Sequence, residues 1–546
     1  MPAPLHTLAY IVANRYKDSV ALMRVAQRLL ALPDVVNATL QLGNAANKEI
    51  LQEAGLLGPE VRSAGPSDIM VVVQARTGAA CEAARALAGE QLSGRDEAAG
   101  GFASGAAAGP AASTLAMAQA RFAQESAGAA GGTGGAPGTG QANIAQISVP
   151  GAYAAAEALK AVKLGLNVFM FSDNVPLEQE VVLKQEARRR GLLVMGPDCG
   201  TALIGGVPLG FANNVRRGPI GLVAASGTGL QEVSTQIHRM GGGISHAIGT
   251  GGRDIQAAVG GITMLQAIEL LARDAATRVI AVLCKPPAPE VAVQVRAALR
   301  AAGKPAVVLF IGADAGDGAA RAAAKAPPGT VLRSVHTLVD CAAAAVALGG
   351  RRKPPGNPAA PYPIAPRPRF AASQKYLRAL YAGGTFAAEA QALWARAGLR
   401  VWSNVPLDDA QALPDPKRAS VEHTALDLGD DQFTLGRPHP MIDQAARIER
   451  LLAEAADPAT RVILLDVVIG HGAHTDPAGE LAPALREARR IAARRGRQLG
   501  LVGFVCGTEL DPQGLAQQEA TLRGAGMALA GNSANAAWLA QQWVGA

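Results

Sequence analysis

The sequence predicts an α/β protein in which helices cover parallel β-sheets. From Asn143 onward, short apolar strands alternate with amphipathic helices, an order typical of right-handed βαβ crossovers. Hydrophobic residues make up 49% of the 546-residue chain, whereas aromatic residues make up 4% and 63 residues are glycine. This composition favours close packing of helices on sheets, because small side chains let backbones approach each other. It excludes a fibrous or disordered chain.

Composition shifts divide the chain into several parts. Residues 1–94 are expected to form a small α/β domain, because a helix with apolar residues at helical spacing at 18–32 lies between predicted strands. Residues 95–142 are rich in Gly, Ala, Ser and Thr. We expect a flexible linker there, since such a segment cannot bury enough surface to offset its ordering entropy. A second, proline-rich linker is expected at 351–372.

Three further units are expected, at 143–215, 216–350 and 373–546. The last two look like copies of each other. The string DAATRVI that begins at Asp274 returns as DPATRVI at Asp457, and each unit also contains a glycine-rich turn between a strand and a helix. We therefore expect two related domains with parallel sheets.

Charge and cysteine content limit the classes of function. The formal net charge is +7, but the basic residues are scattered and lack neighbouring aromatics, so a small anionic substrate is a better partner than nucleic acid. The five cysteines show no CxxC pair, which argues against disulfides and structural zinc. No apolar run approaches the ~20 residues of a membrane span. We expect a cytoplasmic protein that binds no membrane.

Two glycine-rich turns that follow strands are candidates for anion binding. The turn at 226–229 opens a helix, whose backbone N–H groups and hydroxyls suit an anion, although an ordinary N-cap gives the same pattern. The turn at 249–254 contains an arginine, which binds phosphate or carboxylate bidentately. The carboxyl ends of parallel strands meet at one edge, so we expect the two turns side by side. The predicted anion-binding residues are Ser226, Gly227, Thr228, Gly251, Gly252 and Arg253.

Three other segments carry polar groups without fixing a function. The turn at 196–201 is either a ligand-binding turn or an ordinary one with a buried cysteine. The segment at 427–443 brings carboxylates together with Arg437 and with His439, which two prolines flank, although a solvated loop would look the same. Two histidines at 471–474 lack a third obvious ligand, so we expect no metal site.

Residues 143–350 resemble the α subunit of succinyl-CoA synthetase. The similarity lies in the turn GPDC at 196–199, the strand and turn GLVAASGT at 221–228 and the loop GTGGRD at 249–254. Nearly the whole chain resembles the FdrA family, through FSDNV at 171–175, KPP at 285–287, and GRPHPMID at 436–443. These resemblances imply a Rossmann-like CoA-binding-type unit followed by two related flavodoxin-like, succinyl-CoA synthetase-like domains.

The FdrA resemblance implies two activities. FdrA proteins are labelled acyl-CoA synthetases by kinship. They are also associated with oxamate carbamoyltransferase of purine and allantoin breakdown, in which phosphate cleaves oxalurate to oxamate and carbamoyl phosphate with the help of companion subunits. Our leading hypothesis is such a subunit, with phosphate as co-substrate. Lys285 would stabilise the oxyanion, and Arg437 and His439 would bind or protonate the leaving oxamate.

The alternatives are an acyl-CoA ligase and a sensing or scaffold subunit without catalysis. Succinyl-CoA synthetase carries phosphate on a histidine that a glutamate positions. The corresponding stretches here, at 310–315 and 284–287, contain neither residue, and no ATP-grasp domain is visible. A ligase of this type would take its phosphate carrier from a partner and would use CoA or a nucleotide.

Overall fold

The structure is a computed structural model that describes most of the chain. The described residues are 5–93, except 14, 16, 18, 44–46, 49–50, 53–54 and 66–67, together with 112, 114–129, 142–313, 331–350, 366–434 and 437–545. They form two compact units: Met1–Ala111 with Leu435–Pro438, and Ala112–Thr434 with His439–Ala546. The architecture is mixed α/β with parallel sheets and a small N-terminal domain, which confirms the predicted fold class.

The N-terminal unit is a three-stranded antiparallel sheet in the order β1-β3-β2. Alternate residues of the central strand face opposite sides. Val71 packs with Leu22 and Leu29 under two helices, whereas Val72 packs with Val61 on the other face. The elements are β1 (His6–Val12), α1 (Ser19–Leu30), β2 (Val35–Leu42), α2 (Pro59–Arg62), β3 (Ile69–Ala75) and α3 (Gly78–Ser93).

The segment predicted as a flexible linker contains a helix, α4 (Leu115–Ala129). Leu115 packs against the core of the following unit, and the Gln119 side chain donates a hydrogen bond to the Leu164 carbonyl at 3.1 Å. Alanine is common in flexible linkers, but it is also the strongest helix former. The apolar contact of Leu115 helps to anchor the helix. The glycine-rich string at 131–138 lies outside the described residues.

A three-stranded parallel sheet follows, in the order β4-β5-β6, with a helix after each of its first two strands. Its elements are β4 (Ile144–Ile147), α5 (Gly151–Lys163), β5 (Asn167–Met170), α6 (Leu177–Arg189) and β6 (Val194–Met195). The predicted boundary at 215 differs from the observed one. The hairpin β7 (Thr201–Ile204) and β8 (Val207–Gly210) joins the next sheet instead, because β7 pairs antiparallel with β10 (Ile244–Gly249) of that sheet.

The first of the two large lobes has a seven-stranded sheet in the order β13-β12-β11-β9-β10-β7-β8. Its five parallel strands have the 2-1-3-4-5 arrangement of flavodoxin-like sheets. The elements are β9 (Arg217–Ala224), α7 (Gly227–Arg239), β10 (Ile244–Gly249), a 3-10 turn (Gly252–Ile255), α8 (Ile262–Arg273), β11 (Val279–Cys284), α9 (Pro289–Ala301), β12 (Ala306–Phe310), β13 (Leu332–Val335) and α10 (Leu338–Leu348).

The second lobe has a six-stranded parallel sheet in the order β15-β16-β14-β17-β18-β19. Residues 351–365 of the expected proline-rich linker before it lie outside the described residues. The elements are β14 (Tyr376–Tyr381), α11 (Gly384–Arg396), β15 (Val401–Ser403), a 3-10 turn (Asp409–Gln411), β16 (His423–Asp427), α12 (Asp431–Thr434), α13 (Ala445–Ala456), β17 (Thr460–Val468), α14 (Pro477–Ala493), β18 (Gly500–Cys506), α15 (Leu515–Gly524), β19 (Ala528–Ala530) and α16 (Ser533–Val544).

The two lobes share one hydrophobic core. Leu230 and Ile237 of α7 belong to the same buried cluster as Phe386 and Trp394 of α11. Nearly every residue of α7 is buried, including its polar ones, because the helix is enclosed by both lobes. The five cysteines are buried and unpaired. Across the described residues, no helix combines the length and hydropathy needed to span a bilayer.

Candidate functional site

The first lobe has its topological switch point between β9 and β11. The chain passes from β9 to β10 on one side and returns to β11 on the other, so the turns after β9 and β11 diverge. In open α/β sheets, ligands bind in the crevice that such diverging turns leave at the carboxyl ends of the strands. The residues at this point are Ser226, which follows β9, and Lys285, which follows β11.

Two helix N-termini, one from each lobe, meet at this place. Ser226 is the N-cap of α7, and its Oγ accepts a hydrogen bond from the Gly229 N–H at 3.1 Å. The same hydroxyl is hydrogen-bonded to the Thr385 hydroxyl in the first turn of α11. The N-cap of α11 is Gly383, which has no side chain to cap the helix. The positive ends of both helix dipoles therefore face the same region.

Lys285 and Asp427 share the space above Gly384. A Cβ on Gly384 would lie 2.7 Å from the Lys285 Nζ and 2.6 Å from the Asp427 Oδ2. An ammonium and a carboxylate thus converge on the first residue of α11. A glycine leaves room for both side-chain ends without a shift of either.

The Asp427 carboxyl is held in place by backbone and side-chain contacts. The Asn404 amide oxygen accepts from the Asp427 N–H and its amide nitrogen donates to the Asp427 carbonyl, both at 2.9 Å. The Gly429 N–H donates to the Asp427 Oδ1 at 3.0 Å. Burial raises the pKa of Asp427 to about 6, although the Lys285 ammonium opposes the rise. The group therefore titrates near neutral pH.

His439 lies beside Asp427 as an uncharged hydrogen-bond donor. Its Nδ1 accepts from the Met441 N–H at 3.2 Å, so in the neutral ring the proton is on Nε2. Burial lowers the pKa of His439 to about 4, and the nearby Arg447 guanidinium lowers it further. The Nε2 would lie 2.6 Å from a Cβ on Gly429, next to the carboxylate. A neutral imidazole polarises a carbonyl but is a poor proton donor, which argues against the predicted protonating role.

The structure departs from prediction at the second glycine-rich turn. It does lie beside the first, because the Thr250 N–H donates to the Ala224 carbonyl at 2.9 Å. However, a Cβ on Gly251 would lie 2.2 Å from the Pro197 carbonyl oxygen. The space that glycine leaves here is filled by the chain's own backbone. Gly252 likewise borders Asp198, whose Oδ2 would lie 3.9 Å from a Cβ there.

Arg253 is engaged by groups of the preceding three-stranded sheet. Its Nη2 donates to the Val175 carbonyl at 2.7 Å and pairs with the Glu180 carboxylate at 3.0 Å. That carboxylate is buried and also pairs with Lys184 at 2.9 Å. Gly251 and Arg253 therefore contact other groups of the chain itself, and we do not include them in the candidate site. Gly252 is exposed, and its role in anion binding stays a prediction.

Carboxylates and one further cation lie around this second turn: the Lys184 Nζ donates to the Thr250 carbonyl at 3.0 Å and pairs with the Asp254 carboxylate at 2.8 Å. Asp198 is exposed, yet the surrounding protein and the charges of Asp173 and Asp431 raise its pKa to about 7. Burial and Asp173 also raise the pKa of Asp431. Among the described residues, no group of three or more His, Cys, Asp or Glu side chains has the geometry of a metal site.

The roles of the other predicted site residues stay predictions. Ser226, Gly227, Thr228, Lys285 and His439 lie in the unit that holds both lobes. Arg437 is exposed and groups with the N-terminal unit, so its role stays a prediction and it takes no part in the arguments below.

The sequence analysis identified the segments that hold Gly384, Thr385 and Asp427 but assigned none of these three residues to the site. It recognised the glycine-rich turn of the third unit as a copy of the first turn, between a strand and a helix. The position of Asp427 above that terminus depends on the order of the strands, which the repeat does not give.

Family models match three parts of the chain. Residues 380–543 match the CoA-ligase family, and residues 216–312 match the CoA-binding domain family. Residues 6–108 match a family described as the AllF heavy metal-associated domain. Within 6–108 the sequence contains one cysteine, Cys81, which is buried and whose Sγ contacts the His6 carbonyl at 3.5 Å. A single buried thiol gives no basis for metal binding by paired cysteines.

Solved structures with similar folds include enzymes of CoA metabolism. The dinucleotide-forming acetyl-CoA synthetase 1 of Ca. Korarchaeum cryptofilum is 16% identical and matches 74% of this chain and 82% of its own, with a TM-score of 0.30. ATP citrate lyase of Methanothrix soehngenii is 17% identical and matches 58% of this chain and 54% of its own, with a TM-score of 0.31.

Two relatives in sequence differ in how much of the chain they cover. The α subunit of the ADP-forming succinate–CoA ligase of Aquifex aeolicus is 29% identical over 26% of this chain and 46% of its own length. YahF, an uncharacterized protein of Escherichia coli K12, is 40% identical over 98% of both chains. The resemblance to succinyl-CoA synthetase is thus confirmed, whereas the FdrA assignment stays a prediction. The chain belongs to the same family as YahF, with CoA-binding and CoA-ligase domains of the succinyl-CoA synthetase type.

Proposed function

We propose that the chain is a subunit of an acyl-CoA ligase, in which the two lobes together hold a small carboxylic acid or its acyl phosphate. The two domain matches and the succinate–CoA ligase relative support this class of reaction. A subunit of an ADP-forming sulfoacetate–CoA ligase of Bilophila wadsworthia, 25% identical over 20% of this chain and 40% of its own length, has the same kind of activity. These findings favour the ligase over the carbamoyltransferase that we first expected.

One observation carries the proposal. The N-termini of α7 and α11 point at one place, where Lys285 adds a positive charge above Gly384. Backbone N–H groups at a helix N-terminus stabilise oxyanions, and an ammonium group strengthens the effect where water is excluded. A carboxylate, an acyl phosphate and a tetrahedral oxyanion all fit this charge pattern.

Each side chain of the site has a separate role in this proposal. Lys285 and the first N–H groups of α11 stabilise the negative oxygen of the acyl group. The neutral His439 directs its Nε2–H toward the same region and polarises a carbonyl, while Ser226 and Thr385 hold the two helix ends together. Asp427 keeps the ammonium above Gly384 by charge attraction.

The test is CoA-dependent, ADP-forming turnover of small carboxylic acids. The full chain would be assayed alone and with partners recovered from its native host, because the phosphate carrier and the nucleotide site are expected on a companion subunit. Lys285→Ala should reduce turnover by about 10²-fold or more, the usual cost of losing an oxyanion donor. Turnover with the variant equal to that of the native chain would contradict the proposal.

A second candidate is the carbamoyl transfer that the FdrA resemblance implies. One observation favours it: the stretches at 310–315 and 284–287, which correspond to the histidine and glutamate loops of succinyl-CoA synthetase, contain neither residue. A site without a phosphate carrier suits direct attack by phosphate on a polarised carbonyl. Phosphate-dependent cleavage of oxalurate, measured as carbamoyl phosphate with and without companion subunits, separates the two candidates.

A further inference from the structure

The Asp427 carboxyl is in an unusual position for a group that borders an anion site. It is 7% exposed, and its Oδ1 accepts from the Gly429 N–H. Its Oδ2 makes no hydrogen bond within the described residues and instead points at the space above Gly384. This is where the N-terminus of α11 and the Lys285 ammonium would receive an oxyanion. Two unscreened negative charges cannot occupy that space at low cost.

We propose that an oxyanion enters this site together with a proton, which the Asp427 carboxyl takes up. The inference rests on the proposed function, since it assumes that the oxyanion binds above Gly384. Protonation removes the repulsion between the carboxylate and the incoming anion, and it turns Oδ2 into an O–H donor that faces the anion. The Lys285 ammonium, which the carboxylate attracts in the empty site, then becomes free to pair with the ligand.

The charged groups around Asp427 have opposing effects on its ionisation. Asp430 on the same loop and Asp466 in β17 disfavour its charged form, whereas Lys285 favours it. Asp198, on the turn after β6, also interacts with Asp427, and both lie near neutrality in pKa. His439 stays neutral over this range, because burial lowers its pKa to about 4. Asp466 itself is paired with Arg447 at 3.0 Å, so it is already compensated.

The proposal is tested with sulfate, which keeps its charge over the range in question. Its affinity for the full chain would be measured by calorimetry between about pH 5.5 and about pH 8.5. If one proton accompanies each anion, the affinity should fall about tenfold per pH unit once Asp427 is ionised. The binding heat should also differ between two buffers of unequal ionisation enthalpy, a measurement that needs no variant.

Two variants identify the carboxyl that takes the proton. Asp427→Asn should bind sulfate with nearly the same affinity at both ends of the pH range. Asp198→Asn is the matched control, because Asp198 titrates in the same range but lies by the second turn, and it should keep the full pH dependence. If Asp427→Asn keeps that dependence, or if the native chain binds sulfate without taking up a proton, the inference is wrong.

The failure of the proposed function gives a different result. Sulfate binding that Lys285→Ala does not weaken would show that the anion binds elsewhere, and both proposals would then fall. If Lys285→Ala weakens sulfate binding but Asp427→Asn keeps its pH dependence, the proposed function stands and only proton uptake by Asp427 is ruled out. Folding of each variant would be checked by its thermal unfolding curve.

Discussion

The two glycine-rich turns of the first lobe look alike in sequence and differ in what they do. Both follow a parallel strand at the same edge of the sheet. Beside the turn that carries Ser226, Gly384 of the second lobe leaves space for the side-chain ends of Lys285 and Asp427. At the second turn, the space beside Gly251 holds the Pro197 carbonyl. A glycine in such a turn indicates that another group lies close to its Cα. The surrounding chain decides whether that group is a ligand or part of the protein itself.

Strand order explains the difference. The first turn lies at the β9/β11 switch point, where neighbouring connections diverge, whereas the second turn follows β10, where backbone of the segment at 196–201 lies against Gly249 and Gly251. Four measurements test this explanation.

The first prediction compares alanine at the two glycines. Gly251→Ala should lower the free energy of unfolding by about 3 kcal/mol or more, because Gly251 has a φ of +82° and its Cβ would collide with backbone. Gly384→Ala should change it by less than about 1 kcal/mol, since only flexible side-chain ends must move. Urea unfolding of both variants checks this. Equal losses would mean that the two turns are equally filled.

The second prediction compares the two cations. Lys285→Ala should weaken sulfate binding by at least about tenfold, because a charge-assisted hydrogen bond to the anion is lost. Arg253→Ala should leave sulfate affinity unchanged and lower stability, since the buried Glu180 loses one of its two cations. Calorimetry and thermal unfolding of the two variants measure both effects. If Arg253→Ala bound sulfate more weakly than the native chain, the second turn would belong to the anion site.

The third prediction concerns the carboxylates behind the two turns. Glu180 is paired with Lys184 and Arg253, whereas Glu389 of α11 accepts hydrogen bonds from two neutral donors, the Ser533 hydroxyl and the Leu338 N–H. Burial raises the pKa of Glu389 from 4.5 to about 7. The folded chain therefore holds this proton more tightly, and the stabilisation, complete below about pH 4.5, is lost as the pH rises through about 7.

The measurement is unfolding free energy against pH for the native chain and Glu389→Gln. The native chain should lose roughly 2–3 kcal/mol over this interval through Glu389. The glutamine variant should lack that component and be the more stable of the two near pH 8. Parallel curves for the two proteins would show that Glu389 is ionised in the folded state at all these pH values.

The fourth prediction concerns Ser226, the N-cap of α7. Ser226→Ala removes the hydroxyl that accepts from the Gly229 N–H and contacts Thr385, so stability should fall by about 1 kcal/mol. Sulfate affinity should fall only slightly, because the helix N–H groups remain. Ser226→Thr, which keeps the hydroxyl, is the control. A loss of sulfate binding as large as that of Lys285→Ala would make Ser226 a direct ligand.

Much of the fold followed from periodicity, and less of the site did. Alternating strands and helices predicted the parallel sheets, and the repeat at Asp274 and Asp457 predicted two related lobes. The helix at Leu115–Ala129 was missed, because alanine suits both linkers and helices. Ser226, Lys285 and His439 were found as polar residues after strands, whereas Asp427 was not singled out, since its place beside Lys285 depends on how two lobes pack.

The shared core of the two lobes has a consequence for how the protein is made. Because α7 and α11 bury their faces against each other, each half of the chain would expose Phe386, Trp394 or their partners if it were produced separately. Because both halves belong to one polypeptide, they are synthesised in equal amounts, and neither half persists alone with its apolar face exposed. Sequence change in one half is then constrained by the other, and we expect the residues along α7 and α11 to vary in concert among relatives.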